Sequence, residues 1–88
     1  MSNTFECSLV TPEEAVFDQP VTSANLPAHD GQLGILANHA PLLVQLGEGD
    51  LHLKLEDGSS KSYKLRGGFA QMNNNKLTLL SESAEPAA

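Results

Sequence analysis

Apolar and polar residues alternate with a period of two through much of the chain, the mark of strands with one buried face. Phe5, Cys7 and Leu9 alternate with Glu6 and Ser8. Leu51, Leu53 and Leu55 alternate with His52, Lys54 and Glu56, and Tyr63 and Leu65 alternate with Ser62, Lys64 and Arg66. Between the last two runs lies Asp57-Gly58-Ser59-Ser60, a turn composition in which Gly58 takes a positive φ without steric cost. The two runs therefore read as an antiparallel hairpin, its leucine face packed against Phe5, Leu9, Tyr63 and Leu65. A second hairpin is expected of residues 68–72 and 77–79 around Asn73-Asn74-Asn75, because asparagine tolerates left-handed backbone. Gly67-Gly68 marks a bulge or bend, which leaves open whether Phe69 or Ala70 points inward.

Helix is nearly excluded. Pro12, Pro20, Pro27 and Pro41 are spread through the first half, and no long Gly- and Pro-free stretch carries a 3.6-residue apolar stripe. At most one short helical turn is expected, near residues 38–44. Turn signals recur about every 8–12 residues, the spacing of a β-sandwich or barrel. With 88 residues there is room for one core only. We place the domain at residues 1–83 and a frayed, small and polar tail at residues 84–88.

Charge removes several functions from consideration. Five Lys and Arg stand against eleven Asp and Glu, a formal charge of −6. A sequence-independent nucleic-acid binder needs cations to displace counterions, and an anionic membrane surface would repel this chain. The longest apolar run, at about residues 40–44, is far short of the roughly 20 residues that span a bilayer. No secretory signal is visible in residues 1–4, and Cys7 is the only cysteine. Internal disulfides and four-cysteine zinc sites are thereby excluded, and a reducing, cytoplasmic location is expected.

No catalytic constellation emerges. His29, His39 and His52 match no compact metal-ligand spacing. Cys7, at an inward strand position, reads as a small buried hydrophobe, and Ser8 lacks a strand-to-helix elbow. The pairs Glu13-Glu14 and Glu56-Asp57 fall in turn regions and read as solvated loop charge. Gly31-Gln32-Leu33-Gly34 lacks the third glycine and the Lys-Ser or Lys-Thr of a phosphate loop. No cofactor or metal is expected.

A longer signature is more specific. Residues 30–43, running Asp-Gly-Gln-Leu-Gly-Ile-Leu-Ala-Asn-His-Ala-Pro-Leu-Leu, resemble the Gly-x-x-Gly-Ile and His-Ala-Pro-Leu blocks of the epsilon subunit of rotary F-type ATP synthases. Leu9-Val10-Thr11-Pro12, Val16-Phe17, Leu26-Pro27, Leu46-Gly47-Glu48-Gly49, Gly67-Gly68-Phe69 and Leu77-Thr78-Leu79-Leu80 match further family blocks in order. Gln32 and Ala37 depart from the family's usual Glu and Pro. The family's C-terminal helical hairpin has no counterpart in residues 1–88, so the inhibition of ATP hydrolysis attributed to that hairpin is not expected of them.

The resemblance implies an all-β, flattened antiparallel sandwich of about ten strands. It also implies a non-catalytic, central-stalk role in a proton-translocating synthase, peripheral to the cytoplasmic face of the inner membrane. The implied partners are the gamma subunit and the c-ring, with no nucleic acid, no membrane insertion and a monomer in isolation. Asp30, Gly31, Gln32, Leu33 and Asn38 are implied to face the c-ring, and His39, Ala40, Pro41, Leu42 and Leu43 to lie near gamma. Leu33 and Leu42 flank Gly and Pro in short loops; they serve either as exposed interface residues or as plugs over the sandwich end. A lipoyl- or biotinyl-type carrier domain is the alternative, with Lys76 beside its Asn turn as the attachment point.

Overall fold

The computed structural model describes residues 3–87, and none of them is helical. The nine strands of the described residues are β1 (Phe5–Val10), β2 (Ala15–Ala28), β3 (Gly31–Leu36), β4 (Leu42–Gln45), β5 (Glu48–Leu55), β6 (Ser60–Arg66), β7 (Phe69–Asn73), β8 (Lys76–Leu80) and β9 (Ala84–Pro86). They hydrogen-bond in the order β4-β7-β8-β1-β2-β5-β6-β9, with β3 on β2. The two expected hairpins are β5–β6 and β7–β8, both antiparallel. One pair departs from the antiparallel rule: β1 and β8 run parallel, with Leu9 opposite Leu79.

The 14-residue β2 joins the two layers of the sandwich. Its first half pairs with β1, while its second half pairs with β3 on the same edge and β5 on the other. The ladder to β5 slips between Val21 and Ser23. Such an extra residue bends a strand and increases its twist. Thr22 sits at the slip and its hydroxyl donates to the Lys54 carbonyl at 3.2 Å. Pro20 and Pro27 both lie inside β2, where proline is usually excluded. They fall outside the 21–25 stretch in which β2 carries neighbours on both edges, so one edge stays open for the missing N–H.

Phe5, Leu9, Leu51, Leu53, Tyr63 and Leu65 meet in one core with Phe17, Val21, Leu26, Ile35, Leu77 and Leu79. Phe17 and Tyr63 close it edge-to-face, with ring centroids 6.2 Å apart. The Gly67-Gly68 ambiguity resolves with Ala70 and Met72 buried and Phe69 outside. Both glycines have left-handed φ, 66° and 98°, and at Gly68 a side chain would run into the Leu80 carbonyl.

Two local expectations need correction. Residues 38–44 form no helical turn: Asn38 takes φ 63°, and Leu42–Gln45 pair with β7 as a strand. Proline at 41 starts the chain extended, and the apolar alternation then finds a ladder partner. The tail also differs. Ala84–Pro86 form β9 on β6, with Leu65 opposite Ala84 and Tyr63 opposite Pro86. Three residues suffice because they complete the edge of a strand that is already half buried, with Ala84 packed on the core and Glu85 and Pro86 exposed. Ala88 lies outside the described residues.

Candidate functional site

The residues singled out in the 30–43 segment fall into two groups at opposite ends of β3. At one end, His29-Asp30 form a two-residue turn that brings Ala28 opposite Gly31. The turn is tied to the β4–β5 junction: the His29 N–H donates to the Gln45 carbonyl at 2.9 Å, and the Gly47 N–H to the Pro27 carbonyl at 2.8 Å. Asp30, Gly31 and Gln32 are exposed there. Leu33 is half-buried and packs on the core. Leu42 does the same, so both leucines act as plugs.

Asn38 lies at the far end of the six-residue β3, about 20 Å away at ~3.3 Å per residue. It therefore does not join Asp30, Gly31, Gln32 and Leu33 in one patch and groups instead with His39, Ala40, Pro41, Leu42 and Leu43. The Asn38 N–H donates to Asn75 Oδ1 at 2.7 Å. The His39 Nδ1–H donates to the Ala40 carbonyl at 2.8 Å, which leaves Nε2 as the acceptor of the neutral ring. Ala40 and Pro41 are exposed, and Leu43 is 71% exposed.

Leu43 belongs to a larger feature. The outward face of β4-β7-β8-β1 carries Leu43, Phe69, Leu80 and Val10, with Phe69 opposite Leu80 and Leu80 opposite Val10 in the ladders. Phe69 is 50% exposed and Leu80 41%. A shallow apolar groove of about 390 Å³ runs between Val10, Pro12, Phe69 and Leu80. Sequence reasoning missed Phe69 and Leu80 because the glycine pair hid the strand phase; the doublet Leu79-Leu80, one residue of which must face outward in a strand, was the available signal. The outward face of β2-β5-β6 is of the opposite character. It carries Asn25, His52, Lys54, Ser62, Lys64 and Arg66. The His52 ring bonds the Ser62 hydroxyl at 2.9 Å, and Arg66 pairs with Glu48 at 3.1 Å. Of the four exposed large apolar side chains among the described residues, Leu36 alone lies beside this polar face, opposite Ser23.

The remaining chemical candidates do not converge. Among the described residues no three His, Cys, Asp or Glu side chains gather to hold a metal. His29, His39 and His52 sit on a turn, a loop and a strand face respectively. Burial, then the charges of Asp18 and Glu6, push the Cys7 thiol up to about 12, so it stays protonated and inert as a nucleophile. Ser8 lies mid-strand in β1, and Glu13 and Glu14 are exposed in the β1–β2 turn. Asp57 caps its own turn. The Ser59 hydroxyl and N–H both donate to its Oδ1, which holds the carboxyl below its ordinary range. Gly31 and Gly34 are both within β3, with no helix behind them. Lys76 is exposed at the first position of β8, one residue past the turn itself.

Comparison with known proteins agrees with this geometry. A family model described as the ATP synthase delta/epsilon chain beta-sandwich domain matches residues 4–87. The ATP synthase epsilon chain of Paracoccus denitrificans is 39% identical over the whole chain, which spans 60% of that relative's length. The epsilon chain of Chlorobium limicola is 41% identical, with 89% of each chain covered. A chain of the Euglena gracilis mitochondrial ATP synthase, solved as OSCP, F1 and c-ring in rotational state 1, superposes with a TM-score of 0.90 at 26% identity. That superposition covers 98% of this chain and 55% of the other. These matches settle the family: the chain belongs to the ATP synthase delta/epsilon chains, as their β-sandwich domain.

Proposed function

We propose that the domain is a non-catalytic part of the central stalk of a proton-translocating F-type ATP synthase, joining the gamma subunit to the c-ring at the cytoplasmic face of the membrane. The single observation that carries this reading is the contrast between the two outer faces. One presents Phe69, Leu80 and Val10 around a groove, with Leu43 exposed on the neighbouring β4; the other is polar and holds Lys54, Lys64 and Arg66. Exposed apolar residues grouped on one face of an 88-residue domain, with Gln45, Gln71 and Thr78 between and beside them, mark a protein interface. This face is continuous with residues 39–43, so gamma covers it, and Asn38 moves from the c-ring group to the gamma group. Asp30, Gly31 and Gln32, exposed on their anchored turn, face the c-ring, with Leu33 bracing them from below. A rotor joint must be stiff, because a soft element stores twist instead of passing it on. Short turns, a continuous ladder and a closed core supply that stiffness.

Calorimetric titration of the domain with the gamma subunit of its own synthase tests the assignment. Leu43→Asp combined with Phe69→Ser should weaken binding by at least about tenfold, since central apolar anchors dominate such interfaces. Lys54→Glu, on the polar face, should leave affinity unchanged. Wild-type chain that shows no affinity for gamma, or a double variant that binds as wild type does, refutes this placement.

A further inference from the structure

The Asn triplet does more than reverse the chain. Asn74 and Asn75 form a two-residue turn between β7 and β8, with φ 52° and 60°. Left-handed φ at both central positions defines the hairpin turn that matches strand twist. The Asn75 side chain then reaches two other segments. Its Oδ1 accepts the Asn38 N–H at 2.7 Å, and its Nδ2 donates to the Thr4 carbonyl at 2.9 Å. A backbone N–H can only donate and a carbonyl only accept, so the carboxamide has one possible orientation. Its own carbonyl takes the Glu6 N–H at 3.2 Å. Residues 37–41 carry no strand ladder. The bond from Asn38, itself left-handed, ties that loop across 37 positions of sequence to the far hairpin.

We propose that Asn75 is a positioning residue whose carboxamide latches the β3–β4 loop to the β7–β8 turn. It thereby sets the pose in which His39, Ala40, Pro41 and Leu43 meet gamma. This rests on the reading of residues 39–43 as gamma-facing. The latch works through backbone: Asn38 is fixed at the exit of β3, and Leu42 enters β4 four residues later. A loop released at Asn38 would have to be reordered each time gamma binds, and that ordering weakens association.

Two variants of the full chain separate the latch from the turn. Asn75→Gly suits φ 60° and removes the carboxamide. Asn75→Asp keeps an oxygen to accept the Asn38 N–H, while its second oxygen turns an acceptor toward the Thr4 carbonyl in place of the donor. Hydrogen exchange of the Asn38 amide reads the latch itself and requires no partner; gamma affinity reads its consequence. In Asn75→Gly the Asn38 amide should exchange about tenfold faster, with protection in β1 and β8 unchanged. Gamma affinity should fall about fivefold, the scale of one net hydrogen bond. Asn75→Asp should restore both. Unchanged gamma affinity in Asn75→Gly, or protection lost throughout β1 and β8, overturns the proposal, the latter by making Asn75 a general stabiliser of the fold. If wild-type chain does not bind gamma, the functional reading falls and the positioning role with it, while Asn38 exchange still decides whether the latch exists.

Discussion

Gly67 and Gly68 are adjacent and both left-handed, yet they are constrained by different things. A side chain at Gly67 would approach only the carboxylate of Glu82, at 3.2 Å, the mobile end of an exposed side chain. At Gly68 the obstacle is the backbone of Leu80 and Ser81. That backbone is itself pinned. The buried Ser81 hydroxyl accepts the Arg66 N–H at 3.2 Å and lies 3.0 Å from the Gly67 carbonyl and 2.9 Å from the Ser83 carbonyl. The Ser81 N–H donates to the Val10 carbonyl. Gly67→Ala should thus cost only the left-handed penalty, about 1–2 kcal/mol. Gly68→Ala adds a clash with fixed backbone and should cost at least about 3 kcal/mol, a large share of a small domain's total stability. Denaturant titration of the two variants checks the difference; equal losses would mean that the Leu80-Ser81 backbone yields.

At the scale of elements, β1 carries the most risk, because it lies between an antiparallel neighbour, β2, and a parallel one, β8. Cys7 is at its centre, fully buried, opposite Leu77. Its thiol, with an ordinary value of 9.0, is pushed up to about 12 by burial first and by Asp18 and Glu6 after that. The folded state therefore keeps the proton that the unfolded chain releases. The stability tied to it is whole below pH 9.0 and drains away as pH rises toward about 12. At pH 10.5 the loss should be about 2 kcal/mol, from 1.36 kcal/mol per unit. Burial also raises the Tyr63 hydroxyl, so part of the alkaline loss will survive in Cys7→Ala. Melts at pH 8 and pH 10.5 should still show a smaller drop in that variant than in wild type. An equal drop would mean that the thiol does not titrate against the fold. The inward position of Cys7 was legible from the Phe5-Cys7-Leu9 alternation, as were both hairpins and their turns. Less was legible where the period-two phase breaks: at Gly67-Gly68, which hid Phe69; at Pro41, where an extended entry passed for a helical turn; and at Thr22, where the β5 ladder slips within a strand that also carries two prolines. Long-range pairing, such as β9 on β6 or Asn75 with Asn38, leaves no local pattern to read.

For the whole molecule, the docking geometry follows from the separation of the two ends of β3. The sequence divides the 30–43 segment between the c-ring and gamma with Asn38 on the c-ring side; the strand puts Asn38 at the other end, so the two assignments become separately testable. Leu33 packs on the core, so Leu33→Asp should destabilise the fold itself and cannot report on docking. Asp30 and Gln32 are exposed, and the His29-Asp30 turn is held by backbone bonds that their side chains do not make. Asp30→Lys with Gln32→Lys should therefore leave the melting temperature within a few degrees of wild type. A single exposed charge contributes about 1 kcal/mol or less to a finished joint, and its reversal acts mostly on the rate of encounter. Two new cations do more, because they replace an anion and a neutral amide and so reverse the charge of the whole turn, on which electrostatic complementarity with a partner depends. In a synthase carrying the double variant, assembly of the rotor should slow and proton pumping per ATP hydrolysed should fall. Gamma affinity, set about 20 Å away across β3, should hold. Inverted membrane vesicles allow pumping and hydrolysis to be measured together. Pumping that keeps pace with hydrolysis in the folded double variant would remove the β2–β3 turn from the c-ring contact, while the gamma-facing patch around Leu43 and Phe69 would stand or fall on its own titration.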